Sequence, residues 1–379
     1  MSEYSIRSLM IHRYKSIRKL PNLELRPLNV LIGANGAGKS NFVSFFMFMS
    51  ELMNQRLQSH TVKLGGARRI LPYDCLPSDC FAAVIGFKSG SVILIANQTD
   101  DDRLELVYEE FAGADTNIPS GELDMLAKKY RRNVGQAESQ RMRLNRPDSP
   151  VSAQEEAALT AVSGWRVYHF HDSGSHAGVK RYSSLSQGET LLADAANLAA
   201  FLYTLREKEP DRYTFLLDTI RLAVPYFQDF VLEPVSVAGS DEPQINLQWQ
   251  QEGCPVPFSP HQFSDGTLRF ICLAAALNQP KPPETMVFDE PELGLHPAAV
   301  KTLASMFRSA AAQNQVIVST QSPTLLDQFA PEEVIVVEQE KGNTVFTRLD
   351  TNPHELNVWL ETYSLAQLWE KNILGGRPR

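Results

Sequence analysis

The sequence predicts an α/β fold built on a mixed sheet, and three apolar segments carry this prediction. Leu28–Ile32 is followed by a glycine-rich loop and a helical pattern, Thr285–Asp289 ends on the first of two acidic residues, and Gln315–Thr320 is a third run, one residue longer. Short, nearly continuous apolar runs are typical of strands buried on both faces. We therefore expect these three strands to end at one edge of a sheet, where α/β proteins bind ligands.

The loop after the first run has the spacing of a phosphate-binding loop. Residues 33–40 read Gly-Ala-Asn-Gly-Ala-Gly-Lys-Ser, which fits G-x-x-x-x-G-K-[ST]. Glycines let successive N–H groups point inward, and these groups attract phosphate together with the helix predicted over 41–53. Lys39 is expected to reach the β- and γ-phosphates of a nucleotide, and Ser40 to hold Mg²⁺. The alternative is a glycine-rich turn that binds nothing, which the flanking strand and helix disfavour.

Length and composition are those of an ordinary globular chain. The 379 residues are 43% hydrophobic and 21% charged, which allows one large α/β domain with an insertion or two domains. A net charge of −8 argues against non-specific nucleic-acid binding by the whole chain, but leaves room for a local basic patch. No apolar run approaches the roughly 20 residues of a membrane span, and the first residues do not resemble a signal peptide. Four cysteines without C-x-x-C spacing favour a reduced, cytoplasmic protein with no membrane partner.

The first half of the chain predicts antiparallel strands on both sides of the loop. Residues 4–12 predict a first strand, and residues 23–25 predict an edge strand. Residues 81–87 and 91–95 predict a hairpin, and residues 103–108 another strand. We expect these strands to extend the nucleotide-binding domain beside the phosphate loop.

A polar segment interrupts the pattern at residues 115–163 and is predicted to be helical in pieces. Two interpretations of its basic residues stay open: a solvated surface, or a contact surface for nucleic acid or an acidic partner. The basic residues concerned are Lys128, Lys129, Arg131, Arg132, Arg141, Arg143 and Arg146.

Strands and helices follow between residues 165 and 249. The predicted elements are a strand at 165–170, helices at 186–206 and 212–224, and a pair of strands at 231–235 and 244–249.

The second half of the candidate site begins with Ser264, Asp265 and Gly266, just before an apolar helix at 270–277. A small residue, a carboxylate and a glycine at a helix start form an anion-binding end, although this triplet alone is common in turns. The strand that follows delivers Asp289 and Glu290 at its carboxyl end.

These two carboxylates and one amide complete the chemistry that the sequence predicts. Asp289 is expected to hold Mg²⁺, directly or through water, and Glu290 to orient or deprotonate an attacking water. The alternative, an acidic surface turn, disagrees with the strand that precedes it. Gln321 ends the next strand, where its side chain is expected to reach the γ-phosphate.

The order of these motifs resembles the ABC-type ATPase heads of the RecF, SMC and OLD group. Within that group the chain is similar to the stand-alone bacterial ATPases of the AAA15 and AAA21 type. The matching segments are the Walker A loop at 33–41, the S-D-G-T-x-R form of the ABC signature at 263–269, the Walker B strand and D-loop at 289–297, the switch segment at 320–323, and an aromatic tail at 359–378. The Walker A residues that the resemblance places at the nucleotide are Gly33, Asn35, Gly36, Ala37, Gly38, Lys39, Ser40 and Asn41.

The resemblance implies a P-loop NTPase fold of the ABC head type. Its features are a mixed central sheet flanked by helices, an antiparallel β subdomain, and a short helical insertion where SMC-like proteins carry a coiled coil. The domains expected are an N-terminal ATPase lobe at 1–114, the basic insertion at 115–163, a C-terminal ATPase lobe at 164–350, and a tail at 351–379. An acidic cluster of the kind found in the TOPRIM nuclease of OLD proteins is absent from the sequence after residue 338.

The resemblance also implies that two heads sandwich ATP and Mg²⁺. Ser264, Asp265 and Gly266 of one copy then face the Walker motifs of the other, in a homodimer or a higher homo-oligomer. The implied catalytic residues are Glu290, Gln321 and Lys39, and the implied metal ligands are Ser40 and Asp289. The group usually has histidine where this chain has Gln321, and a neutral side chain predicts slow hydrolysis.

Two further positions are assigned only by their place in the family pattern. The equivalent of the ABC glutamine loop is expected at His171 or Asp172, and the alternative is a loop end without a catalytic role. The turn that contacts the base falls at residues 13–16, with Lys15 as the candidate.

The function expected is an ATPase switch that controls a separate effector, a nuclease or toxin, in bacterial anti-phage defence. One alternative is a DNA-repair or recombination ATPase that binds DNA directly, through residues 128–146. Another is a nucleotide-locked scaffold with little hydrolysis. The aromatic residues Trp359, Tyr363 and Trp369 either pack within the chain or dock the effector.

Overall fold

The computed structural model describes residues 3–75, 79–113, 123, 125, 129, 152–172, 174–236, 242–349 and 353–376. The strands are β1 (Ser8–Tyr14), β2 (Ile17–Glu24), β3 (Leu28–Ile32), β4 (Cys80–Gly86), β5 (Gly90–Gln98), β6 (Leu104–Gly113), β7 (Arg166–Tyr168), β8 (Ser183–Ser184), β9 (Phe227–Val231), β10 (Gln244–Ile245), β11 (Gln248–Gln251), β12 (Thr285–Asp289), β13 (Gln315–Thr320), β14 (Val334–Glu340) and β15 (Asn343–Arg348). The helices are α1 (Lys39–Met53), α2 (Leu57–Leu64), α3 (Ala153–Ser163), α4 (Leu198–Lys208), α5 (Pro210–Ala223), α6 (Asp265–Leu277), α7 (Pro297–Ala311), α8 (Pro323–Leu326), α9 (Pro353–Leu360) and α10 (Leu365–Glu370).

The central sheet has the strand order β15-β14-β3-β13-β12-β7. Its inner strands pair in parallel, and only β15 runs antiparallel to its neighbour, so the sheet is mixed as predicted. The three apolar runs at 28–32, 285–289 and 315–320 are β3, β12 and β13, with the predicted bounds. Because these three strands are adjacent and parallel, the segments that follow them lie side by side at one edge.

A second sheet is antiparallel throughout, with the order β2-β1-β4-β5-β6. The predicted hairpin at 81–95 is β4 and β5. Helix α1 lies between the two sheets and packs on both, because nearly every side of it is apolar and buried. Its Phe45 and Phe48 meet Tyr14 and Phe81 of the antiparallel sheet, with ring centroids 5.2–6.4 Å apart. The other face of the central sheet is covered by α4, α5, α6 and α7.

One prediction in the middle of the chain is wrong. The helix expected over 186–206 begins only at Leu198, because the buried side chain of Asn197 holds the preceding segment as a loop. Its amide donates to the carbonyls of Gln187 (2.6 Å) and Thr190 (2.8 Å), and its carbonyl accepts from the N–H of Leu192 (2.9 Å). These bonds replace those of a helix.

The expected pairing of residues 231–235 with 244–249 is confirmed: Val231 pairs with Gln248, and Val235 pairs with Gln244 through two backbone hydrogen bonds of 2.8 and 2.9 Å. Strand β9 pairs with β11, and β10 pairs with β8 from a distant part of the chain. Trp249 on β11 stacks on Phe258 and Phe263, with ring centroids 4.7 and 4.5 Å apart. This stacking packs the strand pair against the segment that leads into α6.

Most of the predicted basic insertion lies outside the described residues, including residues 128–146 except Lys129. Its last part is α3, which packs on α1 and whose residue Ser163 accepts a hydrogen bond at its carbonyl from Ser50 (2.8 Å). All four cysteines are free thiols. Within the described part of the chain, no helix combines the length and the apolar character that crossing a membrane requires.

Gln315 joins the central sheet to the segment that leads into the antiparallel sheet. Its side chain is completely buried. The amide oxygen accepts from the N–H of Ile6 (3.2 Å), and the amide nitrogen donates to the carbonyls of Ile6 (2.8 Å) and Arg26 (3.1 Å). The side chain therefore satisfies three backbone groups that secondary structure leaves unpaired.

Replacing Gln315 by leucine is expected to lower the free energy of unfolding by about 2–4 kcal/mol, because the backbone groups of Ile6 stay buried without partners. Urea denaturation measures this loss. Gln313→Leu is the control, since Gln313 is exposed, and its effect should stay within about 0.5 kcal/mol. Equal losses in the two variants would contradict the role given to Gln315.

Candidate nucleotide-binding site

The loop between β3 and α1 is shaped by glycines. Gly38 precedes the helix with φ 111°, a conformation that favours glycine. A Cβ on Gly38 would lie 2.2 Å from Oγ1 of Thr344, and one on Gly33 would lie 2.3 Å from the carbonyl oxygen of Val337. The loop therefore approaches β14 and β15 too closely to accept side chains at either glycine.

Lys39 is buried at the first position of α1, with 4% of its surface exposed. Its ammonium donates to the carbonyls of Gly33 (2.6 Å) and Ala34 (3.1 Å). Burial lowers the pKa of Lys39, and the negative charges of Glu290, Asp289 and Glu292 oppose this shift. Two of the three ammonium donors thus hold the loop, and one is left for an anion.

Ser40 and Asn41 follow Lys39 on the first turn of α1. The side chain of Ser40 is exposed. Asn41 instead turns toward the β1–β2 hairpin, where its amide donates to Oγ of Ser16 (2.6 Å). Ser40 is therefore open to a ligand, whereas Asn41 secures the helix start.

Asp289 ends β12 beside Ser319 of β13. Among the described residues, neither Oδ1 of Asp289 nor Oγ of Ser319 has a hydrogen-bond partner, although both atoms are buried. A buried carboxylate oxygen without a partner fits a hard cation, and Mg²⁺ prefers one or two such oxygens plus phosphate. The described residues contain no cluster of three or more His, Cys, Asp or Glu that could cage a metal. Asp289 and the hydroxyl of Ser40 therefore suit an Mg²⁺ that arrives with a nucleotide.

Glu290 has a positive φ of 44°, which is rare for a residue with a side chain. Its N–H donates to the carbonyl of Ser319 (2.8 Å), which holds this strained conformation. The amide of Gln321 donates to its carboxylate. The candidate base and the switch residue, which lie on neighbouring strands, are therefore in direct contact.

Glu292 is a third carboxylate at this edge, and the sequence analysis did not single it out. Its Oε1 accepts from Oγ1 of Thr320 (2.5 Å) and from the N–H of Gln321 (3.4 Å). Burial raises its pKa, against the opposing effect of the bond from Thr320. Its position two residues after Glu290 was the one feature of the sequence that pointed to it. Its side chain connects the D-loop to the switch segment.

The signature residues stand at the start of α6. Ser264 caps the helix by accepting from the N–H of Thr267 (3.1 Å), and both Ser264 and Asp265 are exposed. Gly266 packs on the D-loop, since a Cβ there would lie 2.2 Å from the carbonyl oxygen of Gly294. The helix start is thus close to the D-loop, and its two polar side chains face solvent.

Arg269 fixes this arrangement from within the chain. Its guanidinium is largely buried and donates to the carbonyls of Phe170 (3.0 Å), His171 (3.5 Å) and Leu293. Burial lowers the pKa of Arg269, while Asp265 raises it. One side chain therefore links the signature helix, the D-loop and the segment after β7.

Two residues after β7 are the candidates for the glutamine-loop position. The side chains of His171 and Asp172 are exposed, and Asp172 accepts from the N–H of Gly174 (3.1 Å).

His169 lies near the same site, and no role was predicted for it from the sequence. Its pKa is lowered by burial, and the charge of Asp289 opposes this shift. The structure therefore puts His169 within electrostatic reach of the Walker B acid.

Lys15 sits in the turn between β1 and β2, with φ 48°. Its ammonium donates to Oγ of Ser44 on α1 (2.8 Å) and lies 5.5 Å from the ring centre of Tyr14. Burial lowers its pKa. Lys15 thus fastens the turn to α1, and its role toward a nucleotide base stays a prediction.

A cavity of about 580 Å³ runs along residues 34–37 of the loop. Residues 337–341 of the β14–β15 hairpin line the opposite side, together with Gly376 of the C-terminal tail. The sequence did not predict that the C-terminal tail lines this cavity.

Comparison with known proteins places these features in a family. A family model described as "AAA domain, putative AbiEii toxin, Type IV TA system" matches residues 28–327. No curated protein matches the sequence.

Solved structures share the fold at low sequence identity. The Smc head bound to the C-winged helix domain of ScpA is 16% identical, with 93% of this chain and 99% of that chain covered and a TM-score of 0.59. The Smc head with an extended coiled coil from Pyrococcus furiosus, bound to the C-terminal domain of ScpA, is 14% identical, with coverages of 94% and 99% and a TM-score of 0.54. The Smc head with a coiled coil and joint from Pyrococcus yayanosii is 12% identical, with the same coverages and a TM-score of 0.51. The predicted ABC-type head of the P-loop NTPase fold is confirmed.

The raised pKa of Glu292 makes a prediction for the pH dependence of stability. A carboxyl group whose pKa is higher in the folded than in the unfolded protein destabilises the fold increasingly as the pH rises above 4.5, its ordinary value. In Glu292→Gln this penalty is removed, and the amide oxygen can still accept from Thr320. The stability of the variant relative to the unaltered protein should therefore rise from pH 4.5 toward neutrality and then level off.

Chemical denaturation at several pH values measures this difference. Glu361→Gln is the control, because Glu361 is exposed, and its difference from the unaltered protein should not change with pH. A Glu292→Gln difference that is equally flat would contradict the buried state assigned to this carboxylate.

Proposed function

Because the chain belongs to this family of AAA domains, we propose that it is an ATP-hydrolysing switch that closes when two copies meet. The observation that carries the proposal is the arrangement at one edge of the central sheet. Adjacent strands β3, β13 and β12 lead into the Walker A loop, Gln321, and the acids Asp289 and Glu290. Phosphate-binding groups, a candidate base and a hydrogen-bond donor thus share one place.

Each residue has a separate task in this proposal. Lys39 and the loop N–H groups bind the β- and γ-phosphates. Ser40 and Asp289 would hold Mg²⁺, which would neutralise charge on the phosphates. Glu290 orients the attacking water and accepts its proton. Gln321 holds the Glu290 carboxylate in position.

The second copy supplies the signature residues. Ser264 and Asp265 are exposed at the N-terminus of α6, a thirteen-residue helix whose positive end attracts anions. Arg269 and Gly266 hold this helix start against the D-loop of its own chain. If the signature of one copy contacted the γ-phosphate bound by the other copy, this contact would therefore reach the D-loop of the copy that carries the signature.

We further propose that the switch controls a separate effector protein of the toxin or nuclease class. The family description refers to a toxin and a toxin–antitoxin system, and the Smc heads of the same fold were solved with ScpA domains bound. A role in anti-phage defence is the form of this proposal that the sequence resemblance favours.

The contact between Gln321 and Glu290 favours one second candidate, a scaffold that ATP locks together with little hydrolysis. A glutamine cannot become a cation, and one of the two amide N–H donors of Gln321 is already engaged by Glu290. The two candidates share the nucleotide site and differ only in whether turnover depends on Glu290.

Replacing Glu290 by glutamine separates these candidates. For a switch, we expect steady-state ATP hydrolysis to fall about 100-fold or more, because the general base is lost, while ATP binding persists. Lys39→Ala should abolish binding. Phosphate release and a fluorescent ATP analogue measure the two properties. Equal, slow turnover in the unaltered protein and in Glu290→Gln would support the scaffold instead.

A mixing experiment tests the shared site. Lys39→Ala has an intact signature, and Ser264→Arg has an intact Walker A loop, so each alone should hydrolyse little ATP. Mixed together, they should recover a part of the activity, because one composite site of each mixed dimer is complete. Ser309→Arg, on the exposed face of α7, is the control and should be fully active alone. No recovery in the mixture would contradict a site built from two copies.

A further inference from the structure

The C-terminal segment 364–376 begins beside the switch. Ser322, next to Gln321, caps α8, and Asp327 follows that helix. Asp327 then receives the start of α10: its carboxylate accepts from the N–H of Ala366 (2.7 Å) and from Oγ of Ser364 (3.1 Å). Leu368 and Trp369 of α10 are buried in the core. The tail is therefore anchored to the element that carries the switch residue.

The same segment ends at the Walker A loop. Gly375 and Gly376 both have φ +79°, and the N–H of Gly376 donates to Oε1 of Glu338 (2.9 Å). A Cβ on Gly376 would lie 3.3 Å from Cα of Gly33 and 3.0 Å from Cγ1 of Val336. The last described turn of the chain thus rests on the first glycine of the loop.

Gly33 is enclosed on two sides by backbone. One side is the carbonyl of Val337, which leaves no room for a side chain, and the other is Gly376. The carbonyl of Gly33 accepts from the ammonium of Lys39 (2.6 Å). A displacement of Gly376 would therefore act on Gly33, whose carbonyl binds Lys39. It would also change the wall of the cavity along residues 34–37.

We propose that Gly376, held by Glu338, is a positioning residue of the nucleotide site. It fixes Gly33, and with it the Walker A loop, in the shape that receives phosphate. Because segment 364–376 also docks on Asp327, it links the loop mechanically to the switch helix. The expected effect on the affinity for nucleotide rests on the proposed function. The expected effect on the mobility of the Walker A loop does not.

Gly376→Ala tests the proposal against a matched control. Gly253 has φ +76° and no atom within 4 Å of a Cβ position, so Gly253→Ala carries the same left-handed strain without a new contact. Both variants should lose some stability. Only Gly376→Ala should bind a fluorescent ATP analogue with Mg²⁺ about tenfold or more weakly, because its methyl group presses on Gly33.

A second measurement needs no nucleotide. In the nucleotide-free protein, amide hydrogen exchange in the peptide covering residues 28–41 should be faster in Gly376→Ala than in the unaltered protein, and unchanged in Gly253→Ala. Glu338→Ala removes the acceptor for the Gly376 N–H without adding a methyl group, and should raise exchange in the same peptide. It serves as the test variant if Gly376→Ala does not fold.

The outcomes separate the two proposals. Failure of the unaltered protein to bind the ATP analogue would overturn the proposed function, and the exchange data would still decide the positioning role. Exchange in residues 28–41 that matches the unaltered protein in both Gly376→Ala and Glu338→Ala would overturn the positioning role, whatever the affinity. Faster exchange with unchanged affinity would overturn the inferred effect on nucleotide binding.

Discussion

Parallel pairing of β3, β13 and β12 is the constraint on which the candidate site depends. The register sets Asp289 beside Ser319 and Thr320 beside Ile32, so segments distant in sequence reach the same edge. Helix α1 holds the first strand in place by packing on both sheets, and its apolar surface leaves little freedom to tilt. A change of register by one residue would move the side chains of a strand to the opposite face of the sheet, where they would meet the wrong partners in the core. The geometry of the edge therefore depends on the packing of the core.

The polar groups at this edge form two linked sets. Glu292 binds both Thr320 and Gln321, while Gln321 binds Glu290. Arg269 carries the connection onward from the D-loop to the signature helix. A buried polar network loses stability when one member is left unpaired. The hydrogen bonds of such a set are therefore expected to rearrange together rather than one at a time. A contact at the exposed signature therefore has a physical route to the candidate base.

Local pattern was sufficient for the strands and the Walker motifs, because apolar runs and glycine spacing are properties of short segments. It failed where distant residues decide the structure. Asn197 converts a helical pattern into a loop by binding the carbonyl of Gln187, ten residues earlier. Glu292 matters because the fold brings its carboxylate to Thr320 and Gln321, and His169 matters because the charge of Asp289 reaches it. Gly376 matters because the tail returns to Gly33. Burial and chain return are tertiary properties that residue spacing does not encode.

The neutral switch residue is consistent with a device that is timed by its own hydrolysis. A conformational switch is useful only while its ligand-bound state outlasts the response of its partner, so slow turnover is an advantage rather than a defect. Gln321 supplies a donor without a positive charge, and the strained Glu290 is held by backbone and by Gln321 together. Since the tail docks beside the same switch and ends at the Walker A loop, the proposed switch would couple closure of the nucleotide site to the position of segment 364–376. An effector that binds this segment would then respond to nucleotide state without contacting the nucleotide.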